Sequence, residues 1–205
     1  MASEVGIANA ALQLIKNSKQ ITSIEQGTKE ANAVEVIFTE LRDAMLETHN
    51  WNFAVKRVKL GQLSATPAFE WKYGYELPAD FLRVVSVHNN SSGRDRIPYK
   101  IEGGQINSDA ADLYLRYVSR VTDPNLMPAA FRLAFSKLLA SRLAVTLSGS
   151  ASLSKEMYDQ YISEDLPSAK SADSIQDFAD QLPESEWIGV RSGQRHFYEP
   201  GDPPS

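Results

Sequence analysis

The sequence predicts an α+β fold, in which helices from both ends of the chain form a bundle and an antiparallel β lobe is inserted between them. Three observations support this prediction. Apolar residues recur at helical spacing near the N-terminus and again after residue 128. Between these two regions, apolar residues recur at every second position, as in a β-strand. The regular pattern stops after residue 182, where a Pro- and Gly-rich segment begins. We therefore predict a bundle from 1–50 and 122–182, a β lobe from 51–121 and an extended tail from 183–205.

Two helices are predicted before the β lobe. Ser3 and Thr28 stand where N-caps belong, because a side-chain oxygen there can accept a bond from a free amide of the first turn. The apolar positions of the first helix are Ile7, Ala8, Ala11, Leu12 and Ile15. Those of the second helix are Ala31, Val34, Phe38, Leu41 and Met45. The second helix is predicted to end near Thr48.

The stretch "HNWNFAVKRVKL" predicts a transition from helix to strand. From Trp51 the period is two, which places Trp51, Phe53, Val55 and Arg57 on one face of a half-buried strand. Further strands are predicted in "FEWKYGYELP", in "FLRVVSVHN", on both sides of Gly103-Gly104, and in "DLYLRYVSRV". The stretch "NNSSGRDR" has the composition of an exposed loop between strands.

The helices after the β lobe are predicted from 129 onward. Residues 129–148 are apolar on most sides, which is typical of a central, buried helix, with Pro128 at its first position and Gly149 as its stop. A helix is predicted over 151–166. Four of its side chains are predicted to face the core: Leu153, Met157, Tyr161 and Ile162. Pro167 is predicted to kink or end that helix, and helix can resume over 168–182.

Composition excludes several classes of protein. The chain of 205 residues contains no cysteine, so disulfides, thiolate catalysis and cysteine-ligated metals are excluded. No run of about 18 apolar residues occurs, so we expect no membrane span. The formal net charge is −5, and the sequence contains no strong cluster of basic residues. Both features disfavour a protein that binds nucleic acid through its phosphates.

The sequence predicts no active site, no metal site and no cofactor. The three histidines, His49, His88 and His196, have no second ligand at metal-binding spacing. Basic and aromatic residues alternate at 51–59 and 71–75, as they would in a stacking platform for single strands, but a sheet packed on a bundle explains the same pattern. We expect Trp51 and Phe53 to anchor the sheet to the helices. We also hypothesise that Arg57 pairs with Asp80.

Several segments together resemble a known family. They are "HNWNFAVKR" directly after a helix, then "YELPADFLRVVSV", then "YKIEGGQINSD" followed by "LYLRYVSRVTDPNLMPAAFRLAFSKLLASRLA". In this order and spacing, over about residues 5–175, the chain resembles the tail tubular protein A family of short-tailed phages and the related head-to-tail adaptors of other tailed phages and gene transfer agents. The hallmark residues of the family correspond here to Trp51, Asn52, Phe53, Ala54, Arg57, Leu77, Pro78 and Asp80. The resemblance implies that they determine the fold.

The resemblance also implies a function without catalysis. Members form a ring, commonly of twelve copies, that joins the portal protein to the distal tail (nozzle) protein, and phage DNA passes through its centre without specific binding. Such a protein assembles in the host cytoplasm and ends in the neck of the virion. Pro167 departs from the family, whose last helix tends to continue. The alternatives are another ring of the neck, such as a stopper or nozzle, a nucleic-acid-binding module, and a small ligand-binding protein or enzyme with an unrecognised site.

The tail carries large apolar residues on a segment without a period of its own. They are Trp187, Ile188, Val190, Phe197 and Tyr198. Aromatic side chains on such segments often serve as anchors in a pocket of a partner. We therefore predict that residues 184–205 bind a neighbouring subunit or the portal. The alternative is that they fold back on their own bundle.

Overall fold

The computed structural model describes residues 1–176, and these adopt an α+β fold, as predicted. The first helices are α1 (Glu4–Leu14) and α2 (Lys29–Glu47). The strands are β1 (Val55–Leu60), β2 (Tyr73–Glu76), β3 (Phe81–His88), β4 (Lys100–Glu102), β5 (Gln105–Ser108) and β6 (Leu113–Ser119). The later helices are α3 (Ala129–Ser148), α4 (Ala151–Gln160) and α5 (Leu166–Ser174), with a π-helical turn at Tyr161–Asp165 between α4 and α5.

The first two helices begin at the predicted caps. The Ser3 hydroxyl accepts a hydrogen bond from the amide of Gly6 at 3.0 Å, and the Thr28 hydroxyl accepts one from Ala31 at 3.3 Å. The predicted apolar faces are buried, apart from Leu41, which is half-buried. Both helices pack against α3 and bury those faces in one core.

Helix α3 is the central helix of this core, and α4 and α5 also pack against it. Its buried residues include Phe131, Phe135, Leu139 and Leu143. Gly149 ends the helix with φ +64°, a left-handed conformation that glycine adopts without a steric penalty, as predicted. Pro128 is the N-cap and thus stands one position before the first helical residue.

Pro167 does not end the helix, because helical structure continues from α4 through a π turn into α5. Because proline lacks an amide proton and its ring crowds the preceding turn, the helix widens to a π turn just before it. Of the four residues predicted to face inward, Met157 and Tyr161 are buried and Leu153 is half-buried, but Ile162 is 45% exposed. Helix α5 ends at Ser174, and the predicted continuation to 182 passes beyond the described residues.

The six strands form two antiparallel sheets of three strands. The first sheet has the order β1-β6-β3 and the second has the order β2-β5-β4. Leucine, valine and tyrosine side chains of the first sheet pack against Tyr75 and Ile106 of the second sheet in a separate core. The first sheet also reaches the helices, because Val118 of β6 belongs to the helical core.

The first strand begins later than predicted. Residues 51–54 form a tight turn, in which the amides of Ala54 and Val55 both donate to the carbonyl of Trp51, at 2.9 and 3.0 Å. Trp51 and Phe53 therefore precede β1 and do not alternate along it. The division into a bundle at 1–50 and 122–182 and a lobe at 51–121 stays a prediction.

Candidate functional site

The turn that begins at Trp51 attaches the first sheet to the helices through aromatic contacts. Trp51 is 1% exposed, and its indole nitrogen donates to the carbonyl of Met45 at 3.1 Å. Its ring meets the ring of Phe131 on α3 edge to face, with 5.0 Å between centroids. Phe53 contacts the same Phe131 ring at 5.0 Å. Two aromatic side chains of the turn thus pack on one aromatic residue of the central helix.

Asn52 connects this turn to the last described helix. Its backbone amide donates to both carboxylate oxygens of Asp173 on α5, at 3.0 and 3.1 Å. Its side-chain amide donates to the Asp173 carbonyl at 3.0 Å. His49 Nε2 lies 3.4 Å from the same carboxylate. Asp173 is only 3% exposed, so these hydrogen bonds satisfy a carboxylate that water hardly reaches.

Ala54 joins the turn to strand β6. Its side chain is fully buried, and its carbonyl accepts hydrogen bonds from both the amide and the hydroxyl of Ser119, each at 2.8 Å. A side chain larger than a methyl group at position 54 would have to displace atoms of a packed core. The small residue therefore fits the place where the turn meets the sheet.

Asp80 binds Lys56, and the predicted pair with Arg57 is wrong. The ammonium group of Lys56 lies 2.6 Å from the Asp80 carboxylate, and the hydroxyl of Tyr117 donates to it at 2.9 Å. Lys56 is opposite Tyr117 in the sheet register, so the two side chains share a face. Arg57 is the next residue along β1, so its side chain points to the opposite face of the sheet.

These contacts shift the pKa values of both acids. Partial burial alone would raise the pKa of Asp80, but the hydrogen bonds from Lys56 and Tyr117 outweigh it, so the pKa lies below its ordinary value. Burial, together with the bond to the Asp80 carboxylate, raises the pKa of Tyr117 to about 12. At neutral pH, Asp80 is therefore ionised and Tyr117 is its neutral donor.

Leu77 and Pro78 lead into strand β3. Leu77 is half-buried against the core between the two sheets. The carbonyl of Pro78 accepts a hydrogen bond from the amide of Phe81 at 2.9 Å, which closes the turn before the strand. Six of the eight motif residues thus have a contact that positions one element on another or shapes a turn, and Leu77 packs in a core. Arg57 differs, because it has neither a salt bridge nor a side-chain hydrogen bond within residues 1–176.

Arg57 instead lines a basic cavity that the sequence did not predict. The cavity has a volume of about 460 Å³ and lies on the face of the first sheet that points away from the second sheet. Its polar lining includes Arg57, Lys59, Ser86, His88, Arg96 and Arg116. The register explains the cluster: Arg57 is opposite Arg116, which is opposite Ser86, and the next row is Lys59, Tyr114 and His88.

Ser86 and His88 form a hydrogen-bonded pair in the wall of the cavity. The distance from the Ser86 hydroxyl to His88 Nε2 is 2.9 Å, and Nδ1 lies 3.0 Å from the backbone carbonyl of Asp95. A carbonyl only accepts, so Nδ1 carries a proton and donates to Asp95, while Nε2 is paired with the Ser86 hydroxyl. A hydroxyl beside a histidine is the geometry of an activated nucleophile. Here, however, both residues are buried, and a carbonyl orients the ring in place of a carboxylate.

The sequence could not reveal this cavity, because its cations are far apart in the chain. Arg57 and Arg116 become neighbours only through the pairing of β1 with β6, and Arg96 comes from the loop after β3. The one signal in the sequence is that Arg57 and Lys59 stand two apart on a strand and so share a face.

The remaining predicted site residues concern the tail. Trp187, Ile188, Val190, Phe197 and Tyr198 all lie outside the described residues. Within residues 1–176, no group of three or more histidine, aspartate or glutamate side chains is placed to hold a metal ion. In the same part of the chain, no helix is long and apolar enough to cross a membrane.

The chain matches no protein-family model and no curated protein sequence.

Proposed function

We propose that the protein is a structural head-to-tail adaptor of a short-tailed phage, similar to tail tubular protein A. A ring of twelve copies joins the portal to the distal tail protein, and DNA passes through its centre without specific binding. Each subunit is a helical bundle from which a β lobe projects. The protein performs no catalysis, and it assembles in the host cytoplasm before it becomes part of the virion neck.

The observation that carries this proposal is a pair of apolar grooves on the helices. One groove, of about 560 Å³, lies between α2 and α3 and is lined by Val36, Ile37, Leu41 and the stem of Arg142. A second groove, of about 650 Å³, lies between α1 and α3, with Leu133 on its wall. Val36 is 77% exposed and Leu133 is 65% exposed. Large apolar side chains in exposed grooves are typical of surfaces that bind another protein.

The two grooves lie on opposite sides of α3. Leu133 and Arg142 are nine residues apart, which at about 100° per residue is half a turn around the helix axis. A cyclic ring needs two different surfaces on each subunit, one for each neighbour. Grooves on opposite sides of the central helix meet this requirement, whereas a single groove would favour a closed dimer.

The motif contacts and the charge agree with an adaptor. Trp51, Asn52 and Phe53 fix the turn before β1 to the helices, which is the kind of fold-determining role that the resemblance to tail tubular protein A implies. The formal net charge of −5 disfavours a strong electrostatic grip on DNA, which suits a ring through which DNA passes. Another ring of the neck, such as a stopper or nozzle, shares these features, and binding to the portal separates it from the adaptor.

The test combines mass measurement with negative-stain imaging of the full chain, alone and mixed with the portal protein of the same phage. We expect a ring of twelve copies on the portal. Val36→Glu and Leu133→Glu should each prevent ring formation, because a carboxylate in an apolar interface loses its hydration without a partner. Lys155→Glu introduces a similar charge at an exposed position outside both grooves and should leave the ring intact.

A chain that stays monomeric with the portal would contradict the proposal and favour the ligand-binding alternative. Rings that form equally well with Val36→Glu and Leu133→Glu would contradict the assignment of the interface while leaving the adaptor role in place.

A further inference from the structure

The basic cavity holds guanidinium groups that no described residue neutralises. Arg57 and Arg116 are direct cross-strand neighbours, and like charges in such pairs destabilise a sheet. The Nε atom of Arg116 is buried and has no hydrogen-bond partner within residues 1–176. A buried donor without an acceptor costs its full desolvation penalty. An oxyanion between the two arginines would remove both costs.

The nearby acids are already engaged elsewhere. Asp112 binds Lys59 at 2.8 Å, so that lysine is paired. The carboxylate of Asp95 accepts a hydrogen bond from the Asn90 amide at 3.3 Å. Arg57, Arg96 and Arg116 form no salt bridge with any carboxylate of residues 1–176, and no carboxylate from this part of the chain lines the cavity. Three arginine side chains therefore face one cavity without a counterion.

Most of the negative charge of the chain lies beyond the described residues. Residues 177–205 contain six acidic and two basic residues, a formal net charge of −4 out of −5. Residues 1–176 contain 20 acidic and 19 basic residues and are thus nearly neutral. Four carboxylates precede the first basic residue of this segment, Arg191: Asp177, Asp180, Glu184 and Glu186.

The acidic segment continues from α5, and α5 is held beside the turn that leads into β1. The contact between Asn52 and Asp173 fixes α5 beside the turn before β1. Arg57 lies five residues beyond Asn52, at most about 17 Å along the chain, whereas the ten residues from 177 to 186 can span about 33 Å when extended. Val118 belongs to the helical core and shares a face with Arg116, two residues away on β6, so the cavity opens on the helical side of the sheet.

We propose that the basic cavity binds carboxylates of residues 177–186 of the same chain. Arginine suits this role, because its planar guanidinium can donate two parallel hydrogen bonds to one carboxylate. A nucleic acid fits less well, since its repeated phosphates need an extended basic surface and these cations are confined to one cavity.

The test uses engineered disulfides, because the natural chain contains no cysteine. Ser91→Cys lies in the wall of the cavity, and Ser185→Cys stands between Glu184 and Glu186. In the otherwise complete chain, we expect mild oxidation to form a disulfide within one chain, at a rate independent of protein concentration. Adding Arg57→Gln and Arg116→Gln should slow its formation roughly tenfold or more, because charge-assisted hydrogen bonds are lost. High salt should slow it as well.

A matched control replaces the cavity cysteine with Ser152→Cys, an exposed position on α4. This control should crosslink slowly and should not respond to the arginine substitutions. Circular dichroism of the arginine variants should be unchanged, since neither arginine has a partner in residues 1–176. Crosslinking that ignores the two arginines would overturn the proposal. So would disulfides that form only between two chains, or protection of Ser91→Cys by an oligonucleotide and not by the acidic segment. None of these results depends on ring formation, so the adaptor role is tested separately.

Discussion

Asp80 illustrates how one carboxylate can join several segments of a chain. Its side chain accepts from Lys56 on β1 and from Tyr117 on β6, while its backbone carbonyl accepts from the amide of Arg120 at 2.7 Å. The residue itself stands just before β3. All three strands of the first sheet are therefore connected at this one position.

A double-mutant cycle measures the pairing of Asp80. With Lys56→Gln and Asp80→Asn, we expect a coupling of about 0.5–1 kcal/mol in the free energy of unfolding, because both side chains are partly exposed. The same cycle with Arg57→Gln is the control and should give a coupling near zero. Urea denaturation of the single and double variants provides the values. Equal coupling for Lys56 and Arg57 would contradict the register described for β1.

The Lys56–Asp80 pair makes the free energy of unfolding depend on pH. The pKa of Asp80 is lower in the folded chain than in the unfolded chain, so its stabilising effect is present above the unfolded pKa and is lost as pH falls through the folded pKa. Asp80→Asn should therefore flatten this part of the stability curve. Denaturation midpoints measured from pH 6 down to pH 3 would show the difference from the natural chain.

The sequence places Asp80 near β1 but does not specify its partner. Asp80 and the adjacent basic residues, Lys56 and Arg57, are visible in the sequence, and the sequence alone offers either cation as a partner. The choice depends on which face each side chain occupies. That face is set by the register of β1 against β6, which pairs residues about 60 positions apart, and local patterns carry no information about it.

At the scale of elements, helix caps and apolar faces could be predicted because their causes are local. The caps at Ser3 and Thr28, the left-handed stop at Gly149 and the buried faces of α1 and α2 all follow from residues within a few positions of each other. The start of β1 was predicted four residues too early, because alternation at Trp51 and Phe53 reflects a turn that buries both rings. A π turn is not encoded by a pattern, so the response of the helix to Pro167 was not predicted.

The position of α5 depends on Asp173. Asp173→Ala should lower the free energy of unfolding by about 1–3 kcal/mol, because the partly buried amide of Asn52 loses its acceptor. Asp173→Asn keeps one acceptor oxygen and should cost less. Asp159→Ala, at an exposed position of α4, is the control and should change stability by no more than about 0.5 kcal/mol. If Asp173→Ala matched this control, the contact would not hold the helix.

At the scale of the whole molecule, the chain buries two separate cores, one among the helices and one between the sheets. The α+β class and the order of the elements could be predicted, because the spacing of apolar residues changes from helical to alternating and back along the sequence. The basic cavity and the grooves on α3 did not, because each is formed by elements that meet only in the folded chain. Binding sites on such surfaces cannot be predicted from the pattern of any single segment.

Removal of residues 184–205 tests the predicted role of the tail as a partner-binding segment. We expect the shortened chain to fold with unchanged helix content but to lose ring formation or portal binding, because it lacks the aromatic anchors. Mass measurement and imaging with the portal are the readout, and replacing Arg191 with Gln in the full chain is a mild control. Unchanged assembly of the shortened chain would contradict this role.

The contact between Asn52 and Asp173 has a consequence for synthesis, because the two residues are 121 positions apart. A chain made from its N-terminus exposes the turn at Asn52 long before the ribosome has produced its partner. The strands of the first sheet, which end at Ser119, can therefore pair before Asp173 has been made. Contacts of such long range form slowly, so we expect the attachment of α5 to the turn at Asn52 to be among the late steps of folding.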